Sequence, residues 1–160
     1  MFKIGDYITH PMHGAGVIES IVTKKNNGSQ RDYYVLKLPV GDMVVMVPVS
    51  GCEDIGVRSI ISRSEAEKLF SAFSEIEISM TQNWNKRYRE NMDKIKSGNL
   101  LDVASVVKGL MCRDSERGLS TSERKMLHSA KQILISELVI ATDMDYDGVE
   151  KRLCAALKEG

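Results

Sequence analysis

Two textures divide the chain. Through residue 60, short β-branched or aromatic runs alternate with breaks: Tyr7-Ile8-Thr9, Ala15–Val22, Asp32–Leu38 and Met43–Val47. Seven glycines and all three prolines, Pro11, Pro39 and Pro48, fall in this part. Runs of this length, punctuated in this way, predict strands. Asn27-Gly28 and Gly41-Asp42 separate neighbouring runs and predict hairpin turns. A last run, Val57–Ile61, is placed to close the sheet. Five short strands in some sixty residues predict a strongly bent sheet or a small SH3-like barrel. Met43-Val-Val-Met-Val47 carries no charge, and so small a barrel can bury only one face of it. At a sheet edge such a strand would be a template for pairing with a partner, unless a loop of the chain itself covers it.

Beyond residue 61 there is no proline, glycine is sparse, and apolar residues recur every three or four positions. Ser64-Glu-Ala-Glu67 reads as a capping box opening a helix with Leu69, Phe70 and Phe73 inward. A break near Ser79–Asn83 precedes a helix carrying Trp84, Tyr88, Met92 and Ile95 at helical spacing. Ser97-Gly98-Asn99 ends that helix and caps the next, whose inner side is Leu100, Val103, Val107, Leu110 and Met111. Arg113–Leu119 reads as a charged loop, and Ser120-Thr-Ser-Glu123 as a second capping box. The long helix it opens runs to about Ile140, with Met126, Leu127, Ala130, Ile133, Leu134 and Leu138 in its stripe. A last helix, capped by Asp147, buries Val149, Leu153, Ala156 and Leu157. The expected fold class is therefore α+β, a barrel-like module over residues 1–61 followed by a helical bundle over 62–160.

Composition fits a globular, water-soluble chain: 42% hydrophobic, 28% charged, with no apolar run long enough for a bilayer and no signal-peptide core. Cys52, Cys112 and Cys154 are odd in number and widely spaced, which argues against a disulfide framework or zinc knuckle and favours a reducing, cytoplasmic compartment. Net charge is zero, but residues 84–133 hold 11 basic against 6 acidic residues, +5. A basic middle in a neutral chain suits a local anionic contact; a solvated helix face with surplus lysine would give the same excess.

Candidate chemistry is thin. His10 and His13 lack the glutamate of a zinc helix, and no nucleophile motif, Walker loop or dinucleotide fingerprint is present. Asp143-Met-Asp-Tyr-Asp-Gly148 opens like a calcium loop, but Cys154 occupies the position where that loop needs a bidentate glutamate. No catalytic residue, metal or cofactor is expected. Trp84, the single tryptophan, is followed by Lys86, Arg87 and Arg89. A flat ring beside cations suits a nucleic acid, the cations on phosphate and the ring stacked on or wedged between bases. On the residues alone, the plainer reading comes first: the ring opens the core stripe of its helix. Arg124 and Lys125 start the fourth helix and would extend a basic surface.

These residues, in this order, resemble the CarD/CdnL group of bacterial transcription regulators. The similarity runs from Phe2 to about Leu138 through Phe2-Lys-Ile-Gly-Asp6, His10-Pro-Met-His-Gly-Ala-Gly16 and Tyr33-Tyr-Val-Leu-Lys37, then Asn83-Trp-Asn-Lys-Arg-Tyr88, Arg117-Gly-Leu-Ser120 and Glu123-Arg-Lys-Met-Leu127. The resemblance implies a Tudor-like N-terminal module that docks on the RNA polymerase β subunit. It implies a helical domain on promoter DNA at the upstream edge of the transcription bubble. Trp84 would wedge into the minor groove, with Lys86, Arg87, Arg89, Arg124 and Lys125 around it and little base-specific readout. His10 replaces the family's usual tyrosine, and Met46 a residue that is basic in some members. The polymerase contact is thus expected to be apolar at Val44 and Met46, with Lys24 and Lys25 supplying charge from the neighbouring strand. A monomer without enzymatic activity is expected; the rival reading is a protein-interaction adaptor with no DNA role.

Overall fold

A computed structural model describes residues 1–78 and 81–159. Five strands come first: β1 (Tyr7–His10), β2 (Gly14–Asn26), β3 (Ser29–Leu38), β4 (Met43–Pro48) and β5 (Arg58–Ser59). Five helices follow: α1 (Arg63–Phe73), α2 (Trp84–Lys96), α3 (Leu100–Arg117), α4 (Thr121–Thr142) and α5 (Tyr146–Glu159). The chain is α+β in the predicted order. The predicted break near Ser79–Asn83 lies partly outside the described residues.

The strands form one antiparallel sheet in the order β4-β3-β2-β1-β5. Asn27 and Gly28 both have positive φ, 50° and 81°, the signature of the two-residue turn whose twist matches a hairpin. The long β2–β3 hairpin is interrupted between Ile18 and Ser20, where Glu19 is the extra residue of a bulge. Such a bulge bends its strand and increases twist, as a small barrel-like sheet requires. On β3, Tyr34, Leu36 and Leu38 are buried while Lys37 between them is exposed. With Ile8, Ile18, Val47 and Val57 they make the sheet's own core. β4 is an edge strand, as its uncharged run allowed, and β5 is the other edge.

The helices enclose a second, larger core built from Phe70, Phe73, Val107, Leu110, Leu134, Leu138 and Leu153, among others. Helix boundaries follow capping chemistry, with three corrections to the expected ones. The first box is Ser62 with Glu65, each side chain bonding the other's backbone, so α1 begins two residues early. Arg113–Arg117 is not loop but the last turn of α3, which ends at Gly118 (φ 77°). Arginine and glutamate are good helix formers, and the apolar stripe stops only because this end extends past the core. Asp145, not Asp147, opens α5, its carboxylate accepting from the Gly148 amide at 2.8 Å. Asp143 ends α4 in the left-handed region (φ 59°), so the aspartate cluster serves two helix ends.

Sheet and bundle meet on α4. The Gly14 backbone lies directly on it, since a Cβ there would stand 3.3 Å from the Ile133 Cα and closer still to the Ser136 hydroxyl. The Ala15 amide donates to the Ser136 hydroxyl at 2.8 Å, so a buried donor at the start of β2 finds its acceptor in the bundle.

Candidate nucleic-acid interface

Asn83 caps α2, its side-chain oxygen accepting from the Lys86 amide at 3.0 Å. The first helical residue is then Trp84, and the first turn contains no acidic residue. The positive end of the helix dipole is thus not neutralised within its own turn. A side chain at this position has no preceding turn to cover it, and Trp84 remains 40% exposed. It stands at the open end of the stripe that continues through Tyr88 and Met92, both half-buried, to the buried Ile95.

Two contacts hold the indole. One face lies against the Tyr88 ring, centroids 5.2 Å apart and planes 19° apart. The ring N–H donates to the Ser120 hydroxyl at 3.4 Å. Ser120 is the N-cap of α4, accepting from the Glu123 amide at 3.2 Å. The indole therefore brings together the N-termini of α2 and α4; the first turn of α4 already holds the Glu123 carboxylate, so the end of α2 is the one left to favour an outside anion.

Beneath this contact, Glu123 is 3% exposed and Arg87 is 2% exposed. The Arg87 guanidinium donates to Glu123 through Nε at 3.0 Å and through Nη2 at 3.4 Å. Its Nη1 donates to the carbonyls of Thr81 and Gln82, both at 3.1 Å, which fixes the segment leading into α2. Burial pushes the Glu123 carboxyl up, but hydrogen bonding and charge from Arg87, with further help from Arg113 and Ser120, hold it below the ordinary carboxylate value. The assignment of Arg87 to the outward basic patch is thereby corrected. Four of its N–H groups are spent on protein acceptors, and it positions the helix that carries Trp84.

The other cations stay outside. Lys86 and Arg89 are exposed on α2, and Arg124 and Lys125 are exposed in the first turns of α4. Arg124 lies one turn beyond Ser120, the residue touching the indole. The residues that sequence reading missed are Ser120, Glu123 and Tyr88 in their supporting roles. The capping box marked Ser120 and Glu123 as helix-start residues, but nothing local tied them to a tryptophan and an arginine 36 positions earlier.

The sheet carries a separate surface. Val44 is 57% and Met46 39% exposed on edge strand β4. Lys24 and Lys25 are exposed near the hairpin tip, opposite Arg31 and Gln30. They are not on the strand beside β4: β3 intervenes, and Met46 pairs with Val35 and Val44 with Lys37, four and six residues along β3 from Arg31. At ~3.3 Å per residue that is roughly 13 to 20 Å, so only a broad partner surface could meet both groups.

Among the described residues no group of three or more His, Cys, Asp or Glu side chains could hold a metal ion. No helix among them is long and apolar enough to cross a membrane.

The chain matches two family models, "CarD-like/TRCF RID domain" over residues 2–61 and "CarD, C-terminal domain" over residues 68–154. It is 39% identical over 140 residues to a Bacillus subtilis protein described as "Putative transcription factor YdeB", covering 88% of this chain and 92% of that one. With both halves matched in order and most of its length shared with that relative, the chain belongs to the CarD/CdnL family of transcription regulators.

Proposed function

We propose that the protein binds the RNA polymerase β subunit through its sheet and stabilises the promoter open complex through its helical bundle. In this reading residues 1–61 tether the molecule and residues 62–160 meet DNA at the upstream edge of the bubble. Trp84 enters the minor groove, and Lys86, Arg89, Arg124 and Lys125 neutralise phosphates with little base readout. The edge strand β4 supplies the polymerase contact through Val44 and Met46, with Lys24 and Lys25 reaching a more distant part of the same partner. The protein works as a monomer in the cytoplasm, at the nucleoid whenever polymerase carries it there.

The observation that carries the reading is the state of Trp84: exposed, rigidly backed on one face by Tyr88, and set between two helix N-termini. A wedge needs a free edge and a stiff backing, and a core residue would have neither exposure nor neighbouring free cations. The match to the RID domain, an RNA-polymerase-interacting domain type, supports the tether.

The mechanism is linkage. A protein that binds melted promoter more tightly than closed promoter shifts that equilibrium by the difference in affinity. Base stacking on an aromatic side chain is worth ~1–3 kcal/mol by alanine substitution. The tether raises the local concentration of the wedge at the fork, so modest DNA affinity suffices.

Salt dependence tests the DNA contact. Affinity for a preformed polymerase–promoter open complex is measured against salt for the wild type and for Arg124→Gln/Lys125→Gln. Each lost phosphate contact should lower the logarithmic slope by about 1, so the double variant should lose about 2. An unchanged slope would remove these residues from the interface and favour the pure adaptor.

A further inference from the structure

The bundle's longest helix touches both working surfaces. Near its start, Glu123 clamps Arg87 of α2 and Ser120 receives the Trp84 indole. Near its other end, Glu137 is fully buried and clamps the sheet. Arg58 of β5 donates to both Glu137 carboxylate oxygens, at 2.7 and 3.0 Å, in a bidentate pair. The Ile61 amide donates to the same carboxylate at 2.8 Å. The third arm of Arg58 reaches the Gly98 carbonyl, at 3.1 Å, in the turn between α2 and α3. One arginine–carboxylate pair thus ties the last strand, the strand-to-helix connection and the α2–α3 turn to α4.

The spacing of the two glutamates gives the helix a mechanical sense. Fourteen residues at 100° each come within about 40° of whole turns, so both carboxylates lie on nearly one face. At 1.5 Å per residue they are about 21 Å apart. Two planar arginine–carboxylate pairs at the ends of one unbroken helix constrain direction as well as distance.

We infer that α4 is a strut fixing where Trp84 stands relative to the sheet, with Glu137 and Arg58 as the positioning residues that lock the sheet to it. The inference rests on the proposed function, because it gives the distance between tether and wedge its purpose. A wedge on a loose tether must be ordered each time it engages, and that ordering cost reduces its differential affinity for the melted promoter. A locked strut removes the cost beforehand. Glu137→Ala leaves no unpaired buried charge, since Arg58 is about a third exposed (33%) and can turn to water; the Ile61 amide alone loses its acceptor.

Backbone amide residual dipolar couplings in a dilute alignment medium, measured on the full chain, report whether residues 1–61 and 62–160 share one alignment tensor. The wild type should give one tensor. Glu137→Ala leaves the Gly14–Ala15 contact with α4 as a single pivot, so it should give two while both halves keep their dispersed spectra, and Glu137→Gln, which keeps the side chain's length, should fall between. In parallel, Glu137→Ala should shorten open-complex lifetime several-fold, approaching Trp84→Ala, with polymerase pull-down unchanged. A single tensor persisting in Glu137→Ala overturns the clamp, and two tensors with a wild-type lifetime overturn the strut. If Trp84→Ala itself leaves the lifetime unchanged, the proposed function fails, and the tensor comparison still decides whether Glu137 locks the halves.

Discussion

Arg87 sits where a sequence reader would place a phosphate contact, and the structure turns it inward; the two roles predict opposite behaviour. Consider Arg87→Met, which keeps much of the stem and removes the guanidinium. Glu123, 3% exposed, loses two hydrogen bonds and its counter-ion. The Thr81 and Gln82 carbonyls lose their donor. Breaking a buried ion pair from one side costs about 3–5 kcal/mol, because a charge is left without compensation. For a chain of this size each kcal/mol lowers Tm by roughly 2–4 °C, so the expected drop is roughly 6–20 °C. Arg89→Ala, on the exposed face of the same helix, should stay within about 0.5 kcal/mol. The assay is urea and thermal unfolding of both variants by circular dichroism. Replacing both partners, Arg87→Met with Glu123→Leu, should recover the part of the loss that comes from the orphaned carboxylate, while the Thr81 and Gln82 carbonyls stay without their donor. The reasoning is refuted if Arg87→Met unfolds like the wild type yet shortens open-complex lifetime. That result would put the guanidinium on phosphate.

Further expectations follow from other positions. Gly16→Ala should destabilise by about 1–3 kcal/mol or more in a urea melt, because its Cβ would meet the Lys37 carbonyl oxygen at 2.2 Å, inside the β2–β3 ladder. Val44→Glu and Met46→Glu should abolish polymerase pull-down with Tm nearly unchanged, as both side chains are exposed on an edge strand. Acid sensitivity should trace partly to Glu123. Its folded pKa lies below the ordinary 4.5, so its contribution to stability is fully present above that value and fades as pH falls through the folded one. The Arg87→Met/Glu123→Leu variant should therefore show a shallower loss of stability below pH 4.5.

What the sequence disclosed, and what it withheld, divides along the range of the interaction. The Asn27-Gly28 turn was legible because positive φ is a local demand that those residues meet. Ser120 with Glu123 was legible as a helix start for the same reason. The strands of the sheet could be counted from their alternation, but the position of β3 between β2 and β4 separated Lys24 and Lys25 from the apolar edge they were meant to serve. The partner of Arg87 is 36 residues away, and that of Arg58 is 79. No periodicity marks either pair, since an arginine in a basic run looks the same whether its donors face water or a buried carboxylate. Trp84 was ambiguous for a related reason. It continues a helical stripe, yet as the first residue of α2 it stands at the stripe's uncovered end.

The lifetime of competitor-challenged open complexes measures most directly what one indole does at a melted promoter. Polymerase, promoter and saturating protein are compared for wild type, Trp84→Ala and Trp84→Phe. Loss of ~1–3 kcal/mol of stacking should shorten the lifetime gain at least several-fold in Trp84→Ala, with Trp84→Phe retaining part of it and pull-down of polymerase intact in both. A folded, polymerase-bound Trp84→Ala that prolongs the open complex as well as the wild type would contradict the account.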